Sequence, residues 1–418
     1  MAFRADTILK SSHRVCVTGA GIITSMGCGW DMNEAGFRLG KTAFRKVSLF
    51  ETKTLRSQQA GEVVFPASEP WIDELNSHQR KRLERASRLL LAAGHEAWDQ
   101  ARWSETERAL SIPLCLGTSA GAMALGEAYY RQATRSPGKT RGQPTRVQHY
   151  QIQQQAVLLA RSLRVEGPVT MVSNACASGA NAIGHAFHLV KTGRAPLAMA
   201  GGYDALCQLV FAGFNSLQAL SPGLPRPFDA ERDGLALGEG AAVLTLERLD
   251  RAEARGAPIL GEVRGYGAST DGHHLTQPHP EGEAALRSMS GACEEAGLES
   301  CDIDYINSHG TGTPLNDVAE GRAIQRWAGG REASVSVSST KGAIGHLLGG
   351  AGAVETVISL MALKGGWLPP NANVRVPDPV CTFDLVREPR KRDIRHVLTN
   401  SFGFGGSNAT LVLSALPR

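Results

Sequence analysis

The stretch from Val169 to Lys191 decides the fold, and it reads VTMVSNACASGANAIGHAFHLVK. It starts as a short β-like run, becomes helix-like from Ala180, and places Cys176 in the small-residue turn between them. The free N–H groups and the dipole of a helix N-terminus stabilise a thiolate, so this position favours a nucleophilic cysteine. The alternative is a buried structural cysteine, because a free cysteine usually packs as a small hydrophobic residue.

Composition indicates a large α/β protein. The 418 residues exceed the usual size of one domain, so we expect two fused units or one large α/β body. The net charge of +4 is too small to indicate nucleic-acid binding. Eight scattered cysteines without a C-x-x-C pair predict reduced thiols in a cytoplasmic protein, and they indicate neither a zinc ribbon nor a disulfide framework.

The chain has no sequence feature of a membrane or exported protein. No apolar run reaches about 18 residues, the length that a membrane-spanning helix needs. The segment Met1 to Arg14 is polar and lacks the apolar core of a secretory signal. We therefore expect no membrane span and no export, and no cofactor or metal is indicated.

Short apolar runs alternate with helix-period segments along the chain. The predicted strands are Val15 to Thr18, Pro113 to Gly117, Val169 to Val172, Ala195 to Ala200, Ala241 to Glu247, Ile259 to Gly265, Tyr305 to Asn307, Val335 to Ser338, Val397 to Thr399 and Ala409 to Leu413. The predicted helices are Arg80 to Trp98, Tyr150 to Leu163, Ala180 to Lys191, Pro314 to Trp327 and Ala351 to Lys364. This alternation predicts helix-covered parallel sheets, whose sites form beyond the carboxyl ends of the strands.

Three later segments have the composition of active-site turns. NSHGTG places His309 directly after a strand, and SSTKGAIGH carries Lys341 and His346 five residues apart. NSFGFGGSN is a glycine loop whose backbone N–H groups can approach a ligand. Each has a structural alternative: a satisfied core histidine, an ion pair of Lys341 with Glu355, or a simple turn.

Taken together, these segments resemble a known family. Cys176, the His309 turn, the segment with Lys341 and His346, and the loop around Phe404 resemble in order and spacing the β-ketoacyl-ACP synthases of the thiolase superfamily. The likeness is closest to β-ketoacyl-ACP synthase II and to type II polyketide ketosynthases, and it extends from about residue 13 to the end of the chain. The other matching segments are Val17 to Gly19, Arg226 to Asp229, Asp233-Gly234, Gly238 to Gly240 and Asp271 to Gly282.

The resemblance implies an α/β fold with a duplicated thiolase-like core of five layers, α-β-α-β-α, usually as a dimer. Residues 1–258 then form the half with the nucleophilic cysteine, and residues 259–418 form the half with the His/Lys/His set and the glycine loop. The implied reaction moves an acyl group from acyl carrier protein (ACP) to Cys176. Malonyl-ACP then loses carbon dioxide, and its carbanion attacks the thioester in a Claisen condensation that gives 3-oxoacyl-ACP.

The resemblance also implies a role for each residue of this site. Cys176 is the nucleophile, and the N–H groups of Cys176 and Phe404 form the oxyanion hole. His309 and His346 donate hydrogen bonds to the malonyl thioester oxygen, on which charge grows as the enolate forms. Lys341 holds the geometry and field of the site.

Further residues are assigned in the same way, as expectations. Glu355, Thr311, Thr313 and Asn408 support the site; Gly403, Gly405 and Asp271 belong with Phe404 to gating loops; Ala120 and Phe404 line the acyl pocket; Arg80, Lys81, Arg82 and Arg85 dock the acidic carrier. The family often has a bulky residue at the position of Ala120, so we expect a deeper acyl pocket here. A plain solvated helix face is the alternative for the basic residues.

Other classes of protein give a poorer fit to the motifs. A non-catalytic partner subunit of the chain-length-factor type lacks the nucleophile that Cys176 supplies, and thiolases use a late second cysteine, whereas none follows Cys381. A metal site at His273, His274 and His279 is disfavoured because the three histidines lie in a Pro/Gly loop. A dinucleotide-binding site is also disfavoured, because Gly19-Ala20-Gly21 lacks the third glycine of that fingerprint. The acyl chain, the pathway, and the choice between a homodimer and a heterodimer with a chain-length factor stay open.

Overall fold

The structure of the protein is a computed structural model that describes residues 12–73, 75–135 and 148–416, apart from the side chains of His78, Arg82 and Glu332. Its strands are β1 (Val15–Thr24), β2 (Gly27–Cys28), β3 (Arg45–Lys46), β4 (Gln59–Ala60), β5 (Leu114–Gly117), β6 (Val169–Val172), β7 (Leu197–Asp204), β8 (Gly240–Arg248), β9 (Gly261–Thr270), β10 (Tyr305–Asn307), β11 (Ser336–Ser338), β12 (Trp367–Leu368), β13 (Asp384–Leu385), β14 (Arg390–Lys391), β15 (His396–Phe402) and β16 (Ser407–Ser414). Its α-helices are α1 (Trp30–Arg38), α2 (Ser77–Arg82), α3 (Arg85–Ala101), α4 (Glu105–Arg108), α5 (Met123–Arg135), α6 (Gln153–Leu163), α7 (Ser178–Lys191), α8 (Gln208–Ser216), α9 (Leu249–Ala254), α10 (Glu283–Ala296), α11 (Pro314–Ala328), α12 (Lys341–Ile344) and α13 (Ala351–Gly365).

The main sheet repeats one strand arrangement in its two halves. Its strand order is β13-β11-β10-β15-β16-β9-β1-β8-β7-β5-β6, with β2 beside β1. In the first half, β5 is parallel to β6 and β7, and β7 pairs antiparallel with β8, which leads to β1. In the second half, β10 is parallel to β11 and β15, and β15 pairs antiparallel with β16, which leads to β9. The halves meet where β1 pairs with β9.

Helices cover both faces of each half-sheet. Helices α3 and α6 pack on the outside of the first half, and α10 and α11 pack on the outside of the second half. Helices α7 and α13 lie against each other in the middle and contact strands of both halves, and the largest apolar cluster of the described residues surrounds them. The duplicated five-layer α-β-α-β-α core expected from the sequence is therefore confirmed.

Paired glycines give both halves the same close contact between helix and strand. A Cβ atom at Gly21 of β1 would lie 2.0 Å from the carbonyl oxygen of Ala93, and one at Gly267 of β9 would lie 2.0 Å from that of Ser288. Because glycine has no side chain at these two positions, α3 packs directly on β1 and α10 packs directly on β9.

Most predicted elements exist, but one predicted helix is broken. The run from Arg80 to Trp98 divides into α2 and α3, because Leu83 is extended and the carboxylate of Glu84 accepts hydrogen bonds from the N–H groups of Ala86 and Ser87. Glu84 thus caps a new helix in the middle of an uninterrupted helical pattern. Strand β1 is also longer than predicted, since it continues past Thr18 to Thr24. No helix in the described ranges has both the length and the apolar character that a membrane crossing needs.

Candidate active site

Cys176 lies in a tight turn between β6 and α7, as the sequence predicts. Ala175 has a φ of 57°, a left-handed conformation that is uncommon for a residue with a side chain. Hydroxyl groups hold this turn, because Ser178 Oγ and Ser119 Oγ donate hydrogen bonds to the carbonyl oxygen of Ala175 at 2.6 and 3.0 Å. Cys176 thus stands one residue before Ala177, the N-cap of α7.

The predicted turns from distant parts of the chain meet at one cavity of about 410 Å³. Its walls include most of the residues predicted for the reaction and the gate: Cys176, His309, His346, Gly403, Phe404, Asp271, Thr311, Thr313 and Asn408. Lys341, Glu355 and Gly405 lie behind or beside these walls rather than in them. Each turn follows a strand end, which is where helix-covered parallel sheets form their sites.

The two histidines form one unit. The ring centroids of His309 and His346 are 5.2 Å apart and the ring planes are at 84°, so the rings meet edge to face. Burial lowers the pKa of both rings well below its usual value, and the nearby Lys341 cation lowers it further. Both rings are therefore neutral at physiological pH.

Hydrogen bonding fixes the tautomer of one ring. The N–H of Leu348 donates to Nδ1 of His346 at 3.2 Å, so the neutral ring carries its proton on Nε2. Nδ1 of His309 has no hydrogen-bond partner among the described residues. Of the two rings, His346 is thus the one held as a defined N–H donor by a neighbouring backbone group.

Lys341 and Glu355 form a buried ion pair behind the histidines. Each side chain is 2% exposed, and Lys341 Nζ donates to Glu355 Oε1. Burial raises the pKa of Glu355, and the Lys341 ammonium opposes that rise. The pair keeps a positive charge beside His309 and His346 without exposing it to the cavity.

Opposing effects act on the thiol of Cys176. Burial raises the pKa of Cys176 to about 12, although the Lys341 cation and the N–H of Phe404 favour the thiolate. Loss of solvent thus opposes the stabilisation of a thiolate that the position at a helix N-terminus favours.

Two loops close over the thiol. The N–H of Gly405 donates to the carbonyl oxygen of Leu275 at 2.7 Å, and the N–H of Asp271 donates to that of Gly406 at 2.7 Å. Gly406 has a φ of 82°, and a Cβ atom there would lie 1.9 Å from the carbonyl oxygen of Asp271. The loops thus lie backbone to backbone at the cavity rim.

Phe404 covers the thiol from the rim. The residue is 38% exposed, and its ring stacks on that of Phe214 with ring centroids 5.7 Å apart. Sequence analysis missed Phe214, which lines the same cavity. A hydrophobic ring held by one stacking contact at the entrance can swing aside without disturbing the core.

A buried carboxylate that sequence analysis missed holds the turn of His309. Glu320 on α11 accepts hydrogen bonds from the N–H groups of His309 and Gly310 at 2.8 and 2.7 Å. Burial raises the pKa of Glu320 to about 7. The signal was available, because Glu320 stands between Ala319 and Ala323 on the apolar face of the predicted helix.

The basic residues expected to dock a carrier are in different environments. Arg85 forms a bidentate ion pair with the buried Glu239 and donates to the carbonyl oxygen of Val63, so its guanidinium group is engaged inside the protein. Arg80 is half exposed and donates to neighbouring backbone carbonyls, and Lys81 is exposed. The side chain of Arg82 lies outside the described residues.

Ala120 lies close to the site but not on the wall of the cavity. It is buried in an apolar cluster with Leu206, Phe211 and Leu348. The cavity that contains Cys176 is lined by other residues in this state.

The fold and the site together define a condensing enzyme with the thiolase-like fold. Residues 12–252 match the family model "Beta-ketoacyl synthase, N-terminal domain", and residues 260–375 match "Beta-ketoacyl synthase, C-terminal domain". The chain belongs to the β-ketoacyl synthase family, and it is a condensing acyltransferase of that family.

Relatives with curated names cover nearly the whole chain. The 3-oxoacyl-[acyl-carrier-protein] synthase 2 of Rhizobium meliloti (strain 1021) is 38% identical over 417 residues, which cover 96% of this chain and 98% of the relative. A putative polyketide beta-ketoacyl synthase 1 of Streptomyces halstedii is 36% identical over 425 residues, which cover 97% and 99%. A 3-oxoacyl-ACP synthase and a polyketide synthase thus match this chain at similar identity.

Solved structures agree with this placement. The ishigamide ketosynthase/chain length factor is 33% identical with a TM-score of 0.92, over 97% of this chain and 100% of that one. A ketosynthase in the complex AntDE:AntF, which contains a type II PKS acyl-carrier protein, is 27% identical with a TM-score of 0.87, again over 97% and 100%. Similar ketosynthases have thus been crystallised with a chain-length factor and with a carrier protein.

The lowered histidine pKa values predict how stability changes with pH. Below about pH 6.5 the unfolded chain binds a proton on His346 that the native state refuses, so native stability falls as the pH falls. The free energy of unfolding can be measured in urea between pH 8 and pH 5 for wild type and for His346→Gln. Below pH 6.5, that of wild type should fall by about 1.4 kcal/mol per pH unit more than that of the variant.

The exposed His185 on α7 provides a control for loss of a histidine as such. His185→Gln should follow the wild-type curve. If the free energies of unfolding of wild type and His346→Gln differ by the same amount at every pH in this range, the buried ring takes up its proton normally and the prediction is wrong.

Proposed function

We propose that the protein is a 3-oxoacyl-ACP synthase that works in two half-reactions at this cavity. The observation that carries the proposal is the meeting of one thiol with two neutral, edge-to-face histidine rings. A thiol suits acyl transfer, and neutral N–H donors suit stabilisation of an enolate.

In the first half-reaction, Cys176 attacks the thioester carbonyl of acyl-ACP. Its proton goes to the departing ACP thiolate, and a new thioester forms on the enzyme. The N–H groups of Cys176 and Phe404 bind the oxyanion of the tetrahedral intermediate. The contact between the Phe404 N–H and the Cys176 sulfur in the resting state supports this role.

In the second half-reaction, malonyl-ACP loses carbon dioxide and becomes an enolate. Nε2–H of His346 and a ring N–H of His309 donate to its thioester oxygen, where the charge develops. The enolate carbon then attacks the acyl-Cys176 carbonyl, and the carbon–sulfur bond breaks. The products are 3-oxoacyl-ACP, carbon dioxide and the free thiol, once the sulfur takes up a proton from solvent.

The remaining residues support passage of carrier-bound substrates. Phe404 and the loop of Asp271 open in turn for the two carriers. The hydroxyl groups of Thr311 and Thr313, 2.9 Å apart at the cavity wall, and the amide of Asn408 offer hydrogen bonds to the polar arm that carries the acyl group.

The partners proposed are acyl-ACP, malonyl-ACP and a second ketosynthase-type subunit. A homodimer is the first choice. A heterodimer with a chain-length factor is the second, because a similar chain is found in the ishigamide ketosynthase/chain length factor.

Lys81 and Arg80 form the proposed carrier-docking surface, without Arg85. The proposal also divides the chain into two halves between residues 258 and 259. It places the protein in the cytoplasm, and the free state of all eight cysteines supports this location.

The alternative function is that of a pocket-shaping partner subunit with little activity alone. One observation disfavours it. A partner subunit needs no nucleophile, whereas here Cys176 lies in a formed cavity with both histidines.

Intact-protein mass tests the proposed reaction. Wild type mixed with a panel of acyl-ACPs should gain one acyl group, and addition of malonyl-ACP should remove it and give a β-ketoacyl-ACP two carbons longer. Cys176→Ala should gain no acyl group, because the nucleophile is absent. If wild type forms no adduct alone or with candidate partner subunits, the protein is not a condensing enzyme.

Acyl chain length should depend on Ala120. A graded series of Ala120→Val, Ala120→Leu and Ala120→Phe fills the apolar cluster behind the thiol and should shorten the preferred acyl chain stepwise in the same mass assay. The preference should change while short-chain adducts form at the wild-type rate. Unchanged length selectivity in all three variants would place the acyl pocket elsewhere.

A further inference from the structure

Asp204 is a carboxylate without a role in the proposed reaction, although it lies beside the site. It is the last residue of β7 and is fully buried. Its partners are neutral donors: the hydroxyl of Thr118 and four backbone N–H groups. A buried carboxylate needs such a set of donors, because its charge is otherwise too costly to remove from water.

The carboxylate of Asp204 accepts hydrogen bonds from two different segments of the chain. Oδ1 accepts hydrogen bonds from Thr118 Oγ1 at 2.7 Å and from the N–H groups of Ala120 and Gly121 at 2.7 and 2.9 Å. Oδ2 accepts hydrogen bonds from the N–H of Gly349 at 2.6 Å and from the N–H of Ser119 in the loop at 3.0 Å. One side chain therefore ties the loop after β5 to the turn that follows His346.

That turn is strained in a way that needs a restraint. Leu348 has a φ of 51°, which is unfavourable for a branched side chain. Its N–H is the group that donates to Nδ1 of His346. The Gly349 N–H, one residue on, is fixed by Asp204, so the carboxylate keeps Leu348 in the conformation that presents its N–H to the ring.

Close packing makes the restraint specific to this position. A Cβ atom at Gly349 would lie 2.5 Å from the backbone nitrogen of Ser119, so the turn and the loop touch backbone to backbone. The carboxylate lies at this contact and accepts the donors of both segments. A neutral amide cannot do so, because one of its two ends is itself a donor.

We propose that Asp204 is a positioning residue that keeps the proton of His346 on Nε2 through its hydrogen bond to the Gly349 N–H. The catalytic consequence rests on the proposed function: a ring with its proton on Nε2 donates into the cavity during decarboxylation of the malonyl group. The structural part of the inference, the link from Asp204 to the ring tautomer, does not depend on any reaction.

The test is ¹⁵N NMR of the histidine ring nitrogens in the full-length protein without substrate. His346 is assigned by loss of its signals in His346→Gln. In wild type, Nδ1 of His346 should have the shift of an unprotonated nitrogen. In Asp204→Asn, an amide oxygen in place of Oδ1 can still accept from Thr118, Ala120 and Gly121. The NH₂ group in place of Oδ2 then faces the N–H groups of Gly349 and Ser119, so the ring should populate both tautomers.

Matched variants separate this effect from general damage. Thr118→Val removes a donor to Asp204 on the loop side only and should leave the His346 shifts as in wild type. Gly349→Ala forces the turn away from Ser119 and should release the tautomer in the same way as Asp204→Asn, so it carries the test if Asp204→Asn does not fold.

Activity supplies the second readout. Asp204→Asn should slow carbon dioxide release from malonyl-ACP by about 10- to 100-fold, the effect of misplacing a catalytic group by about 1 Å, while acyl transfer to Cys176 falls by much less. Wild-type ring shifts in the folded variant, or equal losses in both half-reactions, would overturn the inference. The ring shifts of His346 can change in Asp204→Asn even if wild type forms no acyl adduct. That result would refute the proposed function and leave the positioning role of Asp204 intact.

Discussion

The close approach of the two middle helices at their N-termini is the constraint on which the site depends. A Cβ atom at Gly179 of α7 would lie 2.8 Å from the carbonyl oxygen of Gly349, and one at Gly352 of α13 would lie 2.8 Å from the backbone nitrogen of Ala180. The helices can touch only because these positions lack side chains. The turns that precede the two helices, one with Cys176 and one with His346, are brought to the same cavity by this contact.

Because the site is buried, the pKa values of its side chains differ from those expected at an exposed helix end. Loss of solvent raises the pKa of the Cys176 thiol and lowers that of both histidines, and the buried Lys341 strengthens the effect on the rings. The result is a set of neutral reacting groups. In the proposed reaction, charge appears only as the substrates react, and backbone and ring N–H groups are the proposed donors at the places where it develops.

Local patterns in the sequence were sufficient to predict the alternating fold and the four turns, because each turn combines a strand, small residues and a reactive side chain within a few positions. Interactions over long sequence distances could not be predicted in this way. Asp204 binds Ala120 across 84 positions and Gly349 across 145, and Arg85 binds Glu239 across 154. The sequence shows that Arg85 is basic, but only the fold shows that its charge is already neutralised. Burial of Cys176 likewise follows from packing, and it opposes the stabilisation that the helix N-terminus gives to a thiolate.

The central claim is that one cavity performs two half-reactions with different groups, the thiol for acyl transfer and the histidines for decarboxylation. The most direct test is carbon dioxide release from malonyl-ACP measured in parallel for Cys176→Ala and for His346→Ala, with acyl-adduct formation measured on the same samples. The account predicts that Cys176→Ala releases carbon dioxide without forming an adduct, and that His346→Ala forms the adduct while its carbon dioxide release falls on the order of 100-fold. Carbon dioxide release at the wild-type rate from His346→Ala, or its complete loss in Cys176→Ala with both histidines in place, would contradict it.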